Sequence, residues 1–491
     1  MIGLRKNLGD ARKVSTYKKM VKKWTMNKRK YFFKSISNVT LVNMFSMLIT
    51  AFLTVVLPRY ITKVDYGVWQ LFVFYQGYLG FLHFGWNDGI YLRYGGKPYS
   101  ELNKRSFCSQ FWMQIIFEMI LSMTIYYIVK SQDALNSFVL WQLAMNAVVL
   151  NSRYMLIYIL QATARIKEYS RVLFVDRFVY ILIIIITIIL AELKYSMLIY
   201  AETVSKVLAY LLAIYYCKDI VFNKLRGWKI ECVEIVENVR VGIKIMLSNI
   251  ASILVIGIIR FGIEQNWGVE IFGEISLTIT LSQLFITFIT NIGMVIFPIL
   301  KQMDQVQMKR MYSALNICLS VFLLCGMVLY YPGSILLRLW LPEYQESIKY
   351  MGLLLPICYY ESKMGLLNNT YMKALRAEKK IMLINCSTMG LAILFSVFFS
   401  FGLKNLTLSV LAILLLILIR CNWFDWSIKE IFNNDNRRGI SVENCMVVAF
   451  VICNYVIGDI IGFVGYTVAA LIYLLYRYKV IRQLIREVQL R

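Results

Sequence analysis

The sequence predicts an all-α integral membrane protein of about fourteen transmembrane helices, arranged as two six-helix bundles plus two peripheral helices. Three observations predict it. Apolar runs of about 20 residues recur along almost the whole chain, each long enough to cross a bilayer as a helix. Of 491 residues, 59% are hydrophobic and only 16% charged, a balance that leaves too little polar surface for a water-soluble domain. Most of the 53 lysines and arginines fall in alternate loops, as they do when basic loops stay cytoplasmic.

The expected spans are 35–57, 66–86, 106–129, 138–161, 170–192, 195–217, 238–262, 276–300, 311–331, 348–372, 380–400, 405–426, 444–461 and 464–480. Backbone groups in lipid must be satisfied internally, so each run is a helix. Residues 1–34 form a basic segment in which Lys18, Lys19, Lys22, Lys23, Lys28, Arg29 and Lys30 suit anionic lipid head groups; no cleavable signal peptide is expected. Residues 35–217 make the first bundle, 218–237 a basic cytoplasmic linker, 238–426 the second bundle, and 427–491 the peripheral helices and a basic tail. The hairpin near Gly462 and Gly465 is required by charge: a single helix there would put Arg477, Lys479, Arg482 and Arg486 on the outside. Both termini are then cytoplasmic.

A short repeat supports two related bundles. Arg59-Tyr60 is followed by Tyr66-Gly67-Val68, and Arg260-Phe261 by Trp267-Gly268-Val269. The arginine-to-glycine spacing is the same in both copies. Repeats about a central axis, with the substrate between them, are common in secondary transporters.

Charges inside the spans point to function. Arg153, Arg177, Lys206, Lys244, Lys363 and Arg420 lie within apolar helices, where a charge at the bilayer centre costs roughly 2.5–3.5 kcal/mol even on the lenient insertion scale. They are expected to face an aqueous cavity between the bundles, where cations would hold a pyrophosphate through charge-assisted hydrogen bonds. Four acids, Glu118, Asp176, Glu202 and Glu361, are candidates for balancing these charges or carrying a coupling proton. The same residues also fit structural roles. Glu202 and Lys206, four apart, share a helix face and can neutralise each other; Asp176 can pair with Arg153; Arg420 and Lys244 are near enough to span ends to snorkel. Lys244, Ser248 and Ser252 form a polar stripe at i, i+4, i+8. Pro356 can kink the helix that carries Glu361 and Lys363.

Other classes are excluded or unsupported. The formal charge of +25 is explained by basic loops, so no nucleic acid partner is inferred. The ten cysteines show no CxxC spacing, so no zinc site or disulfide framework is indicated. Gly95-Gly96-Lys97-Pro98 lacks P-loop spacing, and neither HExxH nor a nucleophile–base set is present. No catalytic residue, metal or cofactor is expected, and an enzyme is not. His83, the one histidine, reads as a packing residue.

Leu57-Pro58-Arg59-Tyr60, Asp65-Tyr66-Gly67-Val68-Trp69, Gly80-Phe81-Leu82 and the run from Gly85 to Gly96 resemble the polysaccharide-transport (O-antigen-type) flippases of the multidrug/oligosaccharidyl-lipid/polysaccharide exporter superfamily. The resemblance implies a bacterial inner-membrane protein that moves undecaprenyl-pyrophosphate-linked oligosaccharide by alternating access. It further implies membrane-lipid contacts, proton or sodium coupling, and a place beside polysaccharide polymerase machinery. A drug/cation antiporter of the same superfamily would need an acidic lumen; a non-transporting membrane partner of the assembly machinery would need none.

Overall fold

A computed structural model describes residues 43–131, 137–190, 193–225, 228–300, 303–432 and 438–489. The basic segment 1–34 and the expected start of the first span lie outside the described residues. The described residues form fifteen longer helices, with a four-residue helical turn Lys218–Val221 after the seventh: α1 Asn43–Arg59, α2 Lys63–Leu79, α3 Trp86–Tyr94, α4 Lys104–Lys130, α5 Ser137–Ala162, α6 Ile166–Leu190, α7 Tyr195–Tyr216, α8 228–267, α9 269–300, α10 Gln305–Trp340, α11 345–374, α12 Glu378–Gly402, α13 Leu406–Ile431, α14 Gly439–Ile457 and α15 Asp459–Gln489. All except the short α3 answer to one of the fourteen expected spans. Among the described residues, ten stretches are long and apolar enough to cross a membrane by length and composition, one of them the 61 residues Glu231–Asn291. The exterior is lipid-like: Ile189, Leu190, Leu339 and Ile460 are strongly exposed, as side chains facing acyl tails would be.

Local chemistry sets the breaks. Thr62 caps α2 by accepting from Asp65 N at 3.1 Å. Asp304 and Gln307 close a capping box at the start of α10. Gly268 divides α8 from α9 with φ 78°, a left-handed conformation that other residues rarely adopt. The chain doubles back there, because Arg260 on α8 reaches Ser276 on α9 at 2.7 Å. The last hairpin turns at Gly458, φ 71°, rather than at Gly462 and Gly465, and comprises two helices as the loop charges required. Helix α8 begins at Trp228, well inside the expected linker, because its first turns pack on α3. There a Cβ on Gly242 would overlap the Gly85 carbonyl oxygen.

Each half has its own core. One cluster, including Val255, Ile259, Leu354, Ile413, Phe424 and Tyr466, joins α8–α15. Two others, around Phe72, Tyr180 and Ile199 and around Phe111, Leu156 and Val172, hold α1–α7, and the first of them also takes in Leu277, Leu341 and Tyr344 of the second half. Between them lies a small aromatic contact of Leu71, Phe74 and Phe272. The two copies of the repeat meet at this seam: Gly67, in the first turn of α2, lies against the Val269 carbonyl just after Gly268.

Candidate functional site: a charged cavity between the halves

A cavity of about 490 Å³ opens between α2, α8, α9, α11 and α13. Gln70, Phe74 and Tyr78 face it from α2 at helical i, i+4 spacing. Opposite them stand Ser252, Arg260, Gln283, Glu361 and Arg420.

Two guanidinium groups and one carboxylate line the wall. Arg420 donates to Glu361 at 2.5 Å and to the Ser252 carbonyl and hydroxyl at 2.9 and 3.1 Å. Arg260 donates to Ser276 Oγ at 2.7 Å and lies 4.7 Å from the Phe74 ring and 4.9 Å from the Phe272 ring. Its Nε has no hydrogen-bond partner among the described residues, and none of their carboxylates is within ion-pair distance of it. The wall therefore carries one uncompensated positive charge, and an anion is its electrostatic complement.

The six expected lumen cations do not converge on this cavity; of them it holds only Arg420. Arg153 pairs with Asp176 at 2.8 Å, inside the first half between α5 and α6. Lys206 pairs with Glu202 on α7, and Arg177 lies within electrostatic reach of Glu202 and Asp176. Lys363 is buried between Asp425 at 2.6 Å and Glu443 at 2.9 Å. Tyr359 and Ser320 also donate to Glu443, and Asn368 to Asp425, while Arg477 of α15 reaches Glu443 at 3.4 Å. This network ties α14 and α15 to the second half. Lys244 is exposed. Among the acids, Glu361 reaches the cavity and Glu118 is buried in the first half. The physical reason for the dispersal is burial: a charge in a low-dielectric interior persists only beside an opposite charge or polar partners.

Arg260, Asp425 and Glu443 were not among the expected site residues. The signal for Arg260 was present. The stripe Lys244, Ser248, Ser252, continued by two more turns, passes Ile256 and arrives at Arg260. Ser248 meets Asn385 and Ser252 meets Arg420 along that same face.

Contacts bridge the halves on either side of the cavity. At one end Arg59 stacks on Trp340 at 4.2 Å, Trp340 donates to the Val55 carbonyl at 2.8 Å, and Lys63 pairs with Glu274 at 2.7 Å. At the other, Arg93 donates to Asn238 at 2.6 Å and pairs with Glu234 at 3.0 Å, while Ser106 donates to Glu231 at 2.7 Å.

No protein-family model matches the sequence, and no curated protein matches it. Solved structures do. The chain superposes on an inward-facing multidrug resistance MATE family transporter of the MOP superfamily with a TM-score of 0.60 at 12% identity, covering 82% of this chain and 99% of that one. It superposes on the lipid II flippase MurJ, in an inward closed conformation, with a TM-score of 0.62 at 11% identity, covering 90% and 99%. An outward-facing MATE transporter gives 0.53 at 13% identity, covering 81% and 96%. At these identities the likeness is one of fold: the chain shares the helical architecture of these structures.

Proposed function

We propose that this chain is a flippase that moves undecaprenyl-pyrophosphate-linked oligosaccharide across the bacterial cytoplasmic membrane for surface polysaccharide assembly. The observation that carries the reading is the wall charge: Arg260 and Arg420 face one cavity that holds a single carboxylate, Glu361. Guanidinium groups match phosphate oxygens with paired hydrogen bonds and lose less hydration than ammonium groups. The pyrophosphate would sit against Arg260, the glycan would extend into the aqueous space, and the prenyl chain would stay in lipid. Rocking of the halves about the seam at Gly67 and Val269 would expose the cavity to either side in turn. Two further facts support the reading: the family resemblance of the run from Leu57 to Gly96, and a lipid II flippase among the proteins of this fold.

The test is reconstitution. Purified chain in liposomes should translocate a fluorescent polyprenyl-pyrophosphate oligosaccharide and should leave a cationic dye where it is. Dye transport without lipid translocation would replace the reading with a drug/cation antiporter. Movement of neither, with folded protein in the membrane, would favour a non-transporting partner of the polysaccharide machinery.

A further inference from the structure

A second pocket lies beside the charged cavity and differs from it in kind. It measures about 450 Å³ and is walled by α2, α4, α5 and the end of α8, a size within the roughly 300–1,000 Å³ of small-molecule sites. None of its lining residues is charged among the described residues. Leu140, Leu143, Ala144 and Ala147 of α5 form one wall, and all four are buried. Apart from tyrosine hydroxyls, its polar side chains are Ser122 and Gln265. A sugar or a phosphate would leave most of its polar groups without partners against such walls, and each such group is costly to bury. A hydrocarbon chain has no such groups and fits.

The two spaces meet at a thin partition. Arg260 lines the charged cavity, and Phe261, the next residue of α8, lines the apolar pocket. Successive side chains on a helix diverge by about 100°, so α8 presents a cation to one space and a ring to the other. From α2, Tyr78 lines both. Its ring meets the Phe74 ring edge-on at 5.2 Å, and Arg260 sits over that same Phe74 ring at 4.7 Å. The Tyr78 hydroxyl lies against α8 at Gly257, where a Cβ would come within 1.8 Å of it; only glycine leaves the tyrosine room to reach across. A ligand with a negative group at Arg260 and hydrocarbon directly behind it therefore matches both spaces. The same pocket has a way out to lipid. Helices α4 and α8 are joined at one end, where Ser106 donates to Glu231 at 2.7 Å and Asn238 to Gln110 at 2.9 Å. The pocket lies several turns further along both helices, where Met123, Tyr127 and Ile128 of α4 are exposed.

We infer that the pocket between α2, α4, α5 and α8 takes the isoprene units next to the pyrophosphate while Arg260 holds the pyrophosphate itself, the remainder of the prenyl chain lying in lipid. The inference rests on the flippase reading and gives the carrier's hydrocarbon its own place in it. A chain led straight through the charged cavity would expose each methylene to water; one led past Tyr78 would not.

The test uses the purified full chain in detergent and direct calorimetry with two soluble probes that share a head group, methyl pyrophosphate and geranyl pyrophosphate. The wild type should bind geranyl pyrophosphate at least tenfold more tightly than methyl pyrophosphate. Ala144→Phe, which fills the pocket from α5, should remove that advantage and leave methyl pyrophosphate binding as it was. Leu82→Trp fills the pocket from α2 and gives the same reading if the first variant does not fold. Equal wild-type affinity for the two probes, or an advantage retained in a folded filled variant, overturns the inference and leaves the charged cavity and the flippase reading standing. Displacement of geranyl pyrophosphate by dihexanoyl phosphatidylglycerol at comparable concentration would make the pocket an acyl site for membrane phospholipid and overturns it as well. Binding of neither probe removes the anion reading of Arg260 and the inference with it. A failed translocation assay alongside a tenfold geranyl advantage leaves the pocket standing.

Discussion

Arg260 donates to the Ser276 hydroxyl at 2.7 Å across the Gly268 turn, so its polar partner is a neutral group and its charge remains available to the cavity. Arg260→Ala should therefore lower lipid translocation by an order of magnitude or more while leaving the fold intact, read by flux at matched protein levels. Arg260→Lys keeps the charge but loses the planar fork and the stacking on Phe74 and Phe272. It should fall between the two.

Glu361 should act as the brake on anion affinity. It takes one guanidinium of the pair at 2.5 Å. Glu361→Gln keeps a hydrogen-bond acceptor for Arg420 and raises the excess positive charge of the wall. Binding of a soluble pyrophosphate should tighten by roughly tenfold, equivalent to about 1.4 kcal/mol, in direct calorimetry. Unchanged binding would place the cargo elsewhere.

Lys363 should matter for stability rather than for cargo. It stands between two buried carboxylates, Asp425 and Glu443, and removing one partner of a buried pair typically costs about 3–5 kcal/mol. Lys363→Met should lower the thermal midpoint sharply, and Lys363→Met with Glu443→Gln should recover part of the loss.

Much of the fold was readable because membrane burial imposes a strong one-dimensional signal. The segments of α4–α7, α12 and α13 were readable from run length alone, and the existence of a last hairpin, though not its turn at Gly458, from the charge of its tail. Helix α3 was not, since its nine residues, Trp86–Tyr94, are neither long nor apolar. The site was read less well. Run length gives the depth of a charge and says little about its azimuth. Arg153, Lys206 and Arg420 all sit within apolar helices, yet the first two turn into the first half and only the third faces the cavity. Pairing was legible where it was local, as in Glu202–Lys206, or between adjacent helices, as in Arg153–Asp176. It was hidden where Lys363 meets Glu443, 80 residues away in sequence.

Acidification should loosen the helical turn Lys218–Val221 after α7. Burial raises the Asp219 carboxyl, but the Lys104 ammonium and the Tyr99 hydroxyl outweigh it and hold the group below the usual carboxylate range. A depressed value gives stability that is present above the unfolded value, about 3.9, and is lost as pH falls through the folded one. Asp219 is partly exposed, so the contribution is small, at most about 1 kcal/mol. Asp219→Asn should increase amide exchange in this turn at neutral pH and match the wild type once the aspartate is protonated.

The two bridges should compete. Alternating access requires that one end of the halves part while the other holds, and here both ends are in contact. Ser252 lines the cavity between them, so a cysteine placed there reports its opening. Ser252→Cys should react slowly with a membrane-impermeant maleimide from either side in reconstituted vesicles. Adding Arg93→Ala removes the contacts to Asn238 and Glu234 and should speed labelling from that end alone. Adding Lys63→Ala removes the pair with Glu274 and should speed it from the opposite end. The exposed native cysteines Cys232, Cys318 and Cys445 make site-resolved mass spectrometry the necessary readout. If both variants opened the same side, the contacts would be packing within one rigid unit, and rocking about Gly67 and Val269 would have to be given up.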